Sequence, residues 1–372
     1  MYPAYDRKFY KFPSYYMRSA ITCAIGKVSS YKSLVDLWTK DGCKGSKPRL
    51  NSNQDLMPCF YKGNTFRYDE KSGYDIKVFR NNDWVWQHVE LDKADIRYIK
   101  SRFPGAEMSA PVLRKRYHGF ILQFTLDVTG KNTPKFIKDK DVNKVVGVDL
   151  GINTDAVCTC MLRDGTVTGH RFINSPVEKD RLYTLLNVIK GAQQHGSRHM
   201  HRLWRYVDNY NREIAVRTAA SIVKYALEQK AQVIVFENLS NPKGRLHGSK
   251  KQKITMWRKR DIQERAAAMA KRYGIRTAYV CAWNTSKLAY DGSGIVKRDE
   301  HNHALCTFTT GKRYNCDLSA SKNIASRYLI RIIKKSMPET AWLQAAAKVP
   351  ELGTRTRCTL STLINLNAVT AA

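Results

Sequence analysis

Two hydrophobic patterns divide the chain. Within residues 59–140, apolar and polar residues alternate through stretches such as YDIKVFR, DWVWQHVEL and YHGFILQFTLDV, which is typical of half-buried strands. Turn residues such as NND and SG separate these stretches. We therefore predict a mostly antiparallel β module, interpreted as part of a small barrel. Residues 1–58 instead contain a predicted helix through SYKSLVDLWTK and then a loop with Pro and Asn.

After a polar linker at 129–144, the pattern becomes that of an α/β domain. The apolar runs VVGVDLGI and AQVIVFENL predict buried strands, and VCTCML, TVTGHRF and IRTAYVCAW predict further strands. A long helical region is predicted for 178–230, and a second helix ends at Gly274. A last helix, SASKNIASRYLIRIIKK, follows Asp317. The pattern assigns no structure to residues 337–372.

Three acidic residues lie where this pattern predicts burial or a helix start. Asp149 is in VVGVDLGI, Glu237 is in VIVFENL, and Asp317 precedes the last predicted helix. A buried carboxylate is costly unless it is paired or bound to a metal. Taken alone, each acid is explained as well by backbone N–H contacts or by helix capping, and Ser319 or Ser321 could cap that helix instead.

Together, the three acids predict a two-metal site. The carboxyl ends of strands meet at one edge of a sheet built from strand–helix units, so we expect Asp149, Glu237 and Asp317 to converge there. Carboxylate and water oxygens suit Mg²⁺, with Mn²⁺ as a substitute. Two such ions roughly 4 Å apart activate a water and stabilise the leaving oxygen of a phosphodiester. This is the chemistry of a metal-dependent nuclease.

The net charge indicates a nucleic-acid partner. The chain has 64 Lys and Arg against 32 Asp and Glu, a formal net charge of +32. Such a charge opposes a compact fold through self-repulsion unless a polyanion offsets it. The excess is spread along the chain, which favours an extended basic surface. A merely basic soluble protein is the alternative interpretation.

Candidate contacts to nucleic acid lie in three basic stretches, LRKRYHGF, KGAQQHGSRHMHRLWR and KGRLHGSKKQKITMWRKRD. The predicted contact residues are Arg114, Lys115, Arg116, Tyr117, Lys190, Arg198, Arg202, Arg205, Lys243, Arg245, Lys250, Lys251, Lys253, Arg258, Lys259 and Arg260. A solvated helix face or aromatic core residues explain the first two stretches about as well.

Cysteine usage and the N-terminus bear on the compartment. Nine cysteines without framework spacing predict reduced thiols. MYPAYDRKFYKF has no apolar signal region, and no run approaches the length of a membrane span. We therefore expect a cytoplasmic protein of the bacterial cytosol or nucleoid, with no membrane partner. Monomer and homodimer both stay open.

The sequence also resembles a known family. VVGVDLGINTDAV, QVIVFENL and NCDLSASKNIASR resemble the three RuvC motifs of the TnpB family, transposon-encoded RNA-guided DNA nucleases similar to the compact type V CRISPR effectors. FYKFPSYYMRSAI and AYVCAWNTSKLAYDGSG resemble other parts of that family. The resemblance covers roughly residues 10–335. The ordered set of three motifs is specific, although each motif alone is weak.

The resemblance implies a multidomain α/β plus β protein: an RNase H-like RuvC nuclease domain with an N-terminal wedge β-barrel and a small helical recognition insert. The implied domains are a short recognition segment at 1–58, part of the wedge barrel at 59–140, the RuvC domain with a long helical insert at 141–283, a degenerate zinc-ribbon loop at 284–315, the last RuvC helix at 316–336 and a C-terminal tail at 337–372.

The resemblance also implies a function. Asp149, Glu237 and Asp317 become the catalytic residues that bind Mg²⁺. The chain would cleave target DNA that is complementary to a bound guide RNA and lies next to a short flanking motif. Two alternatives stay open: a nuclease-silent RNA-guided DNA-binding protein, and a guide-free RNase H-like nuclease or transposase.

Residues 284–315 depart from the family's zinc ribbon, which has two CxxC pairs. Ala289 and Gly292 stand at the first pair, and Cys306 and Thr309 stand at the second. One remaining ligand of four cannot form a closed tetrahedral zinc site. We therefore expect a hairpin-like loop without structural zinc. An improvised zinc site is the alternative, formed by His301, His303, Cys306 and Cys316.

Overall fold

The chain forms two compact units, Met1–Asn132 and Thr133–Ala372. The computed structural model describes residues 7, 11–40, 42–43, 46–50, 59–69, 73–90, 93–103, 106–116, 119–127, 135–197, 199–239 and 254–371. None of the helices within these ranges combines the length and the apolar character that crossing a bilayer requires.

Aromatic packing forms the core of the first unit. Strands β1 (Phe66–Asp69), β2 (Gly73–Arg80) and β3 (Asp83–Val89) make an antiparallel sheet in that order. Tyr16, near the start of helix α1 (Ser14–Lys40), packs with Phe60, Phe66, Tyr74 and Ile76. The Tyr16 hydroxyl also donates to the Lys77 carbonyl at 2.9 Å. The alternating apolar positions of β2 therefore form a core with one end of α1.

The strands of the first unit do not close into a barrel within its described residues. β4 (Glu107–Met108) pairs with β7 (Leu126–Asp127), and β5 (Val112–Arg116) pairs with β6 (Gly119–Gln123). Helix α2 (Lys93–Arg102), which the sequence did not predict, interrupts the succession of strands between β3 and β4. The sheets are therefore three small separate ones in the described part, where the sequence indicated a barrel.

The second unit is built on a five-stranded sheet. Its strands are β8 (Lys144–Asp149), β9 (Ala156–Leu162), β10 (Val167–Ile173), β11 (Val233–Asn238) and β12 (Arg276–Cys281), in the spatial order β10-β9-β8-β11-β12. The first three form an antiparallel meander, while β8, β11 and β12 are parallel. This matches the α/β pattern of the sequence. The continuous apolar run of β8 reflects its central position, where both faces are covered.

Helices cover both faces of this sheet. On one face, α4 (His201–Glu228) and α5 (Lys259–Lys271) pack against residues such as Val148 and Phe236. On the other face, α6 (Cys316–Ser336) packs against Val145 and Val235. The helical region predicted for 178–230 is two helices, because α3 (Pro176–Gln194) ends before α4 begins.

The C-terminal residues belong to the core of the second unit. Helices α7 (Glu339–Lys348) and α8 (Leu360–Ala371) follow α6, and Leu363 and Leu366 are fully buried with it. Arg327 of α6, only 6% exposed, donates to the carbonyls of Thr356 and Cys358 at 2.8 and 3.0 Å. A segment that the sequence left unassigned thus completes the α6 side of the sheet.

The contact between α6 and β8 depends on Gly147. A Cβ atom at this position would lie 2.4 Å from the Ser321 carbonyl oxygen and 2.7 Å from the Ala325 nitrogen. The hydroxyl of Thr159, on the neighbouring strand β9, is hydrogen-bonded to the Ser321 hydroxyl of α6 at 2.5 Å. The helix therefore lies directly on the sheet backbone, with its N-terminal turn towards the carboxyl end of β8.

Gly147→Ala should destabilise the protein by about 1–3 kcal/mol, because the added methyl group meets helix backbone that cannot rotate away. Urea unfolding of the full chain measures this. Gly191→Ala is the matched control, because Gly191 is in α3 with open space around its Cβ position. Alanine there should raise the free energy of unfolding by about 0.5–1 kcal/mol through its higher helix propensity. Equal effects of the two substitutions would contradict the contact.

Candidate active site

Asp149 and Glu237 lie near the carboxyl ends of adjacent parallel strands. Val148 of β8 pairs with Phe236 of β11. Asp149 comes directly after Val148, and Glu237 comes directly after Phe236. Val148 and Phe236 are buried on the face covered by α4 and α5. Because successive side chains of a strand alternate between faces, both carboxylates point to the face covered by α6. The predicted convergence of these two acids therefore follows from strand register.

Asp317 lies in the first turn of α6. The cap of this helix is Asn315, whose side-chain oxygen accepts from the Leu318 N–H at 2.9 Å. The capping role considered for Asp317, Ser319 or Ser321 is therefore wrong, because Asn315 already occupies that position. The Asp317 carboxylate instead lies close enough to Asp149 to raise its pKa by repulsion.

Burial and repulsion oppose the ionisation of these three acids. Desolvation, followed by the charges of Glu237 and Asp317, raises the pKa of Asp149 well above its ordinary value. Desolvation also raises the pKa of Glu237 and of Asp317. Arg298, on strand β13 (Lys297–Arg298), partly opposes the shifts at Asp149 and Asp317. The three acids therefore resist being ionised together in this arrangement.

Glu237 is held by residues that the sequence did not single out. The Thr285 hydroxyl donates to the Glu237 carboxylate, and Gln263 Nε2 donates to the Glu237 backbone carbonyl at 2.9 Å. The Thr285 hydrogen bond and the charge of Arg327 both act against the desolvation that raises the pKa of Glu237. Thr285 lies in the stretch AYVCAWNTSKLAYDGSG that resembles the family, but the sequence did not identify Glu237 as its partner.

Helix α6 also fixes the turn that carries Thr285. Asn323 Nδ2 donates to the Thr285 carbonyl at 3.0 Å. Arg327 Nη1 donates to the carbonyls of Cys281 and Trp283, each at 2.8 Å. Trp283 itself is 67% exposed beside this turn. One helix therefore supplies Asp317 and positions the turn that holds Glu237.

Residues 284–315 form a small antiparallel sheet, with β14 (Leu305–Thr307) between β13 and β15 (Arg313–Asn315). We call residues 284–315 the finger. Ala289, Cys306, Phe308 and Cys316 are buried together in and beside it. The Cys306 thiol donates to the Tyr314 carbonyl at 3.4 Å, and burial raises the pKa of both buried thiols. The hairpin-like shape is thus built around apolar side chains.

Lys322 attaches the finger to α6. Its ammonium lies 3.9 Å from the ring centre of Tyr290 and donates to the Tyr314 hydroxyl at 2.6 Å. Lys312 donates to the Tyr290 hydroxyl at 2.8 Å. Burial, with repulsion from Lys312 as a second cause, lowers the pKa of Lys322 to about 8. These lysine–tyrosine contacts join the two ends of the finger across its apolar core.

The side chains of the three acids lie near one another but do not form a metal-binding group as they stand. Across the described ranges, no group of three or more His, Cys, Asp and Glu side chains is gathered so that it could hold a metal ion. This applies to the three acids as they stand and to the improvised set of His301, His303, Cys306 and Cys316. The acids are close enough to interact electrostatically, but their side chains are not arranged around one point.

The predicted nucleic-acid contacts fall into three groups. Exposed side chains are Arg114, Lys115, Lys190, Arg202, Arg205 and Arg260. Arg258 instead pairs with Asp208 and Asp261, and Lys259 is buried with its pKa lowered by desolvation and by Arg260. Outside the described residues or side chains lie Arg116, Tyr117, Arg198, Lys243, Arg245, Lys250, Lys251 and Lys253. All of these contacts stay predictions.

Several known proteins are similar to this chain. A family model described as the Aq_aa04 family matches residues 1–80. TnpB-like protein aq_aa05 of Aquifex aeolicus (strain VF5) is 30% identical over 229 residues, which cover 55% of this chain and 74% of that protein.

Two solved structures also align with it. The crystal structure of Alicyclobacillus acidoterrestris C2c1 in complex with single-guide RNA aligns with a TM-score of 0.50 at 10% identity, over 81% of this chain and 59% of that one. The cryo-EM structure of the Cas12f1–sgRNA–target DNA complex aligns with a TM-score of 0.47 at 14% identity, over 92% and 69%. The likeness to C2c1 concerns the fold alone.

Asp149→Asn should raise the thermal unfolding temperature at pH 7 in the absence of divalent cations. The native-state pKa of Asp149 lies above the unfolded one, so the native state binds more protons and wild-type stability falls as pH rises between the two values. The gain should therefore vanish below the unfolded pKa, near pH 3.8. Calorimetry at several pH values tests this, with Asp164→Asn in an exposed turn as control. A lower unfolding temperature for Asp149→Asn at pH 7 would contradict the repulsion.

Phe308→Ala should destabilise the protein by about 3–5 kcal/mol, because it removes a ring from the finger's core. In buffer without Mg²⁺ or Mn²⁺, incubation of the wild type with EDTA should leave its unfolding temperature unchanged, and mass spectrometry should find less than stoichiometric zinc. One zinc per chain, together with a loss of stability in EDTA, would show that a metal holds the finger.

Proposed function

Because the chain belongs to the TnpB-like protein family, we propose that it is an RNA-guided DNA endonuclease. In this proposal it hydrolyses phosphodiester bonds of DNA complementary to a bound guide RNA, next to a short flanking motif. The observation that carries the proposal is the interaction of Asp149, Glu237 and Asp317 at one edge of the sheet. The net charge of +32 on the same chain supports a nucleic-acid substrate.

The three acids fit a pair of Mg²⁺ ions by their chemistry. Asp149, Glu237 and Asp317 offer only oxygen ligands, and repulsion among them raises the pKa of Asp149, which a cation would relieve. Oxygen ligands suit Mg²⁺, or Mn²⁺ in its place. Bound there, the ions would supply a water of lowered pKa and neutralise charge on the leaving oxygen.

The surrounding residues prepare the acids for this role. Thr285 fixes the orientation of the Glu237 carboxylate and, with Arg327, favours its ionised form. Packing at Gly147 sets how closely α6 brings Asp317 to Asp149. Small rotations of these side chains would be needed to arrange them around a shared ion, since they are not gathered so in the described residues.

Guide and target strands need many phosphate contacts. We assign them to the exposed basic residues on β5, α3, α4 and α5, namely Arg114, Lys115, Lys190, Arg202, Arg205 and Arg260. The domain assignments extend this proposal: recognition at 1–58, wedge at 59–140, RuvC at 141–283 and 316–336, and the finger at 284–315. Residues 337–372 act as a structural extension of the RuvC domain, because they complete its core.

A nuclease-silent RNA-guided DNA-binding protein is the second candidate. It is favoured by the side-chain arrangement, in which the described acids do not surround a common metal position. The retention of all three carboxylates favours the nuclease, since a silent protein does not need a costly acidic cluster. Cleavage in Mg²⁺ separates the two candidates.

Asp149→Ala should abolish cleavage of guide-matched DNA and leave binding of the same DNA within about twofold of wild type, because a metal ligand is removed while the basic surface is kept. Cleavage is measured on labelled duplex in Mg²⁺, and binding by electrophoretic mobility shift with the guide RNA loaded. Asp164→Asn, in an exposed turn at the far end of β9, should cleave like wild type. Cutting by Asp149→Ala at the wild-type rate would remove these acids from the active site.

A further inference from the structure

A cavity of about 640 Å³ lies on the α4 and α5 side of the sheet. The loop after β8, helix α3, helix α4 and the residues around the start of α5 form its walls. Its volume is in the range of roughly 300–1,000 Å³ that is usual for small-molecule sites. None of Asp149, Glu237 and Asp317 lines it, so it is separate from the proposed catalytic acids.

Buried polar atoms in its walls have no partner among the described residues. Asp155 is only 6% exposed. Its Oδ1 pairs with Lys179 Nζ at 2.7 Å, whereas its Oδ2 is buried without a hydrogen bond. The Nε1 of Trp257 and the Nε of Arg258 are also buried without a hydrogen bond. All of these residues line the cavity. All three atoms lie behind the cavity surface, where solvent does not reach them, so a ligand meets them only by displacing side chains of the wall. An unsatisfied buried group costs about 1–3 kcal/mol, and a ligand that satisfies one acceptor and two donors would offset that displacement.

The remaining walls are apolar and partly aromatic. Leu186, Ile214 and Met256 line the cavity together with the Trp257 indole. A matching ligand has flat apolar faces, at least one donor for Asp155, and an acceptor for Trp257 or Arg258. A nucleobase with an exocyclic amine has all three features. The high positive charge of the chain makes a nucleic-acid strand the natural source of such a base.

We propose that this cavity binds a single nucleobase turned out of the stack of a bound nucleic-acid strand. When the base enters, the wall side chains shift and uncover these atoms: its exocyclic amine donates to Asp155 Oδ2, and a carbonyl or ring nitrogen accepts from Trp257 Nε1 or Arg258 Nε. Cytosine, adenine and guanine fit this pattern better than uracil or thymine, which have no exocyclic amine. The source of the ligand rests on the proposed function, whereas the cavity and its unpartnered atoms do not.

The cavity is joined to the loop that follows Asp149. Lys179, the partner of Asp155, also donates to the carbonyls of Ile152 and Asn153 at 3.0 and 2.6 Å. A base on Asp155 would therefore contact the residues that set the path of the chain from β8 to β9. Gly151, which follows closely after Asp149 in the sequence, also lines the cavity.

Binding is tested with 2-aminopurine riboside, whose fluorescence is quenched on stacking and which carries an exocyclic amine. We expect saturable quenching with the full chain, and about tenfold weaker binding of purine riboside, which lacks the amine. Binding of purine riboside is followed by competition. Trp257→Phe keeps a ring but loses the Nε1 donor, so it should also bind 2-aminopurine riboside about tenfold more weakly.

Leu182→Trp tests the location of the site. Leu182 lines the cavity from α3, so a tryptophan there should fill it and abolish quenching. Val188→Trp is the matched control, since Val188 is on the same helix but is 55% exposed and does not line the cavity. Absence of saturable quenching in the wild type, or equal quenching in Leu182→Trp, would overturn the proposal.

The strand that supplies the base is found by placing 2-aminopurine at successive positions of the guide RNA or of the target DNA in the loaded complex. Quenching that Leu182→Trp relieves at one position identifies the strand. Cleavage is measured on the same samples. Intact cleavage without base binding overturns the base site alone, whereas base binding without any cleavage by the wild type counts against the nuclease.

Discussion

The close packing of α6 on β8 at Gly147 is the contact on which the rest of the second unit depends. Because position 147 has no side chain, Ser321 and Ala325 lie directly on the sheet backbone. The same helix presents Asp317 to the strand acids, and it holds the turn of Thr285 through Asn323. A helix displaced by one methyl group would therefore disturb the acids and the turn that orients one of them.

Local signals explain what could be predicted from the sequence. Asp149 and Glu237 follow apolar runs that form neighbouring central strands, so their position at one sheet edge followed from pattern and topology. Thr285 and Arg327 escaped prediction because their partners lie far away in the chain; Thr285 and Glu237, for example, are 48 positions apart. Helix α2 was also not predicted, and it interrupts the expected succession of strands between β3 and β4.

Buried polar groups have favourable partners in the finger, whereas at the sheet edge they repel one another. In the finger, Lys322 and Lys312 are satisfied by tyrosine rings and hydroxyls, and apolar side chains pack together in its core. At the sheet edge, the carboxylates repel one another, and Arg298 offsets that repulsion only in part. The repulsion among these acids is of the kind that a bound cation relieves.

The most direct measurement is the sequencing of RNA that copurifies with the protein from cells carrying its native flanking DNA. The purified complex is then tested for Mg²⁺-dependent cutting of a plasmid library matched to the 3′ end of that RNA. The RNA-guided nuclease account predicts one RNA of defined length and cutting of matched plasmids beside a common flanking motif. Discrete RNA without cutting would contradict the nuclease, and cutting without any bound RNA would contradict the guide.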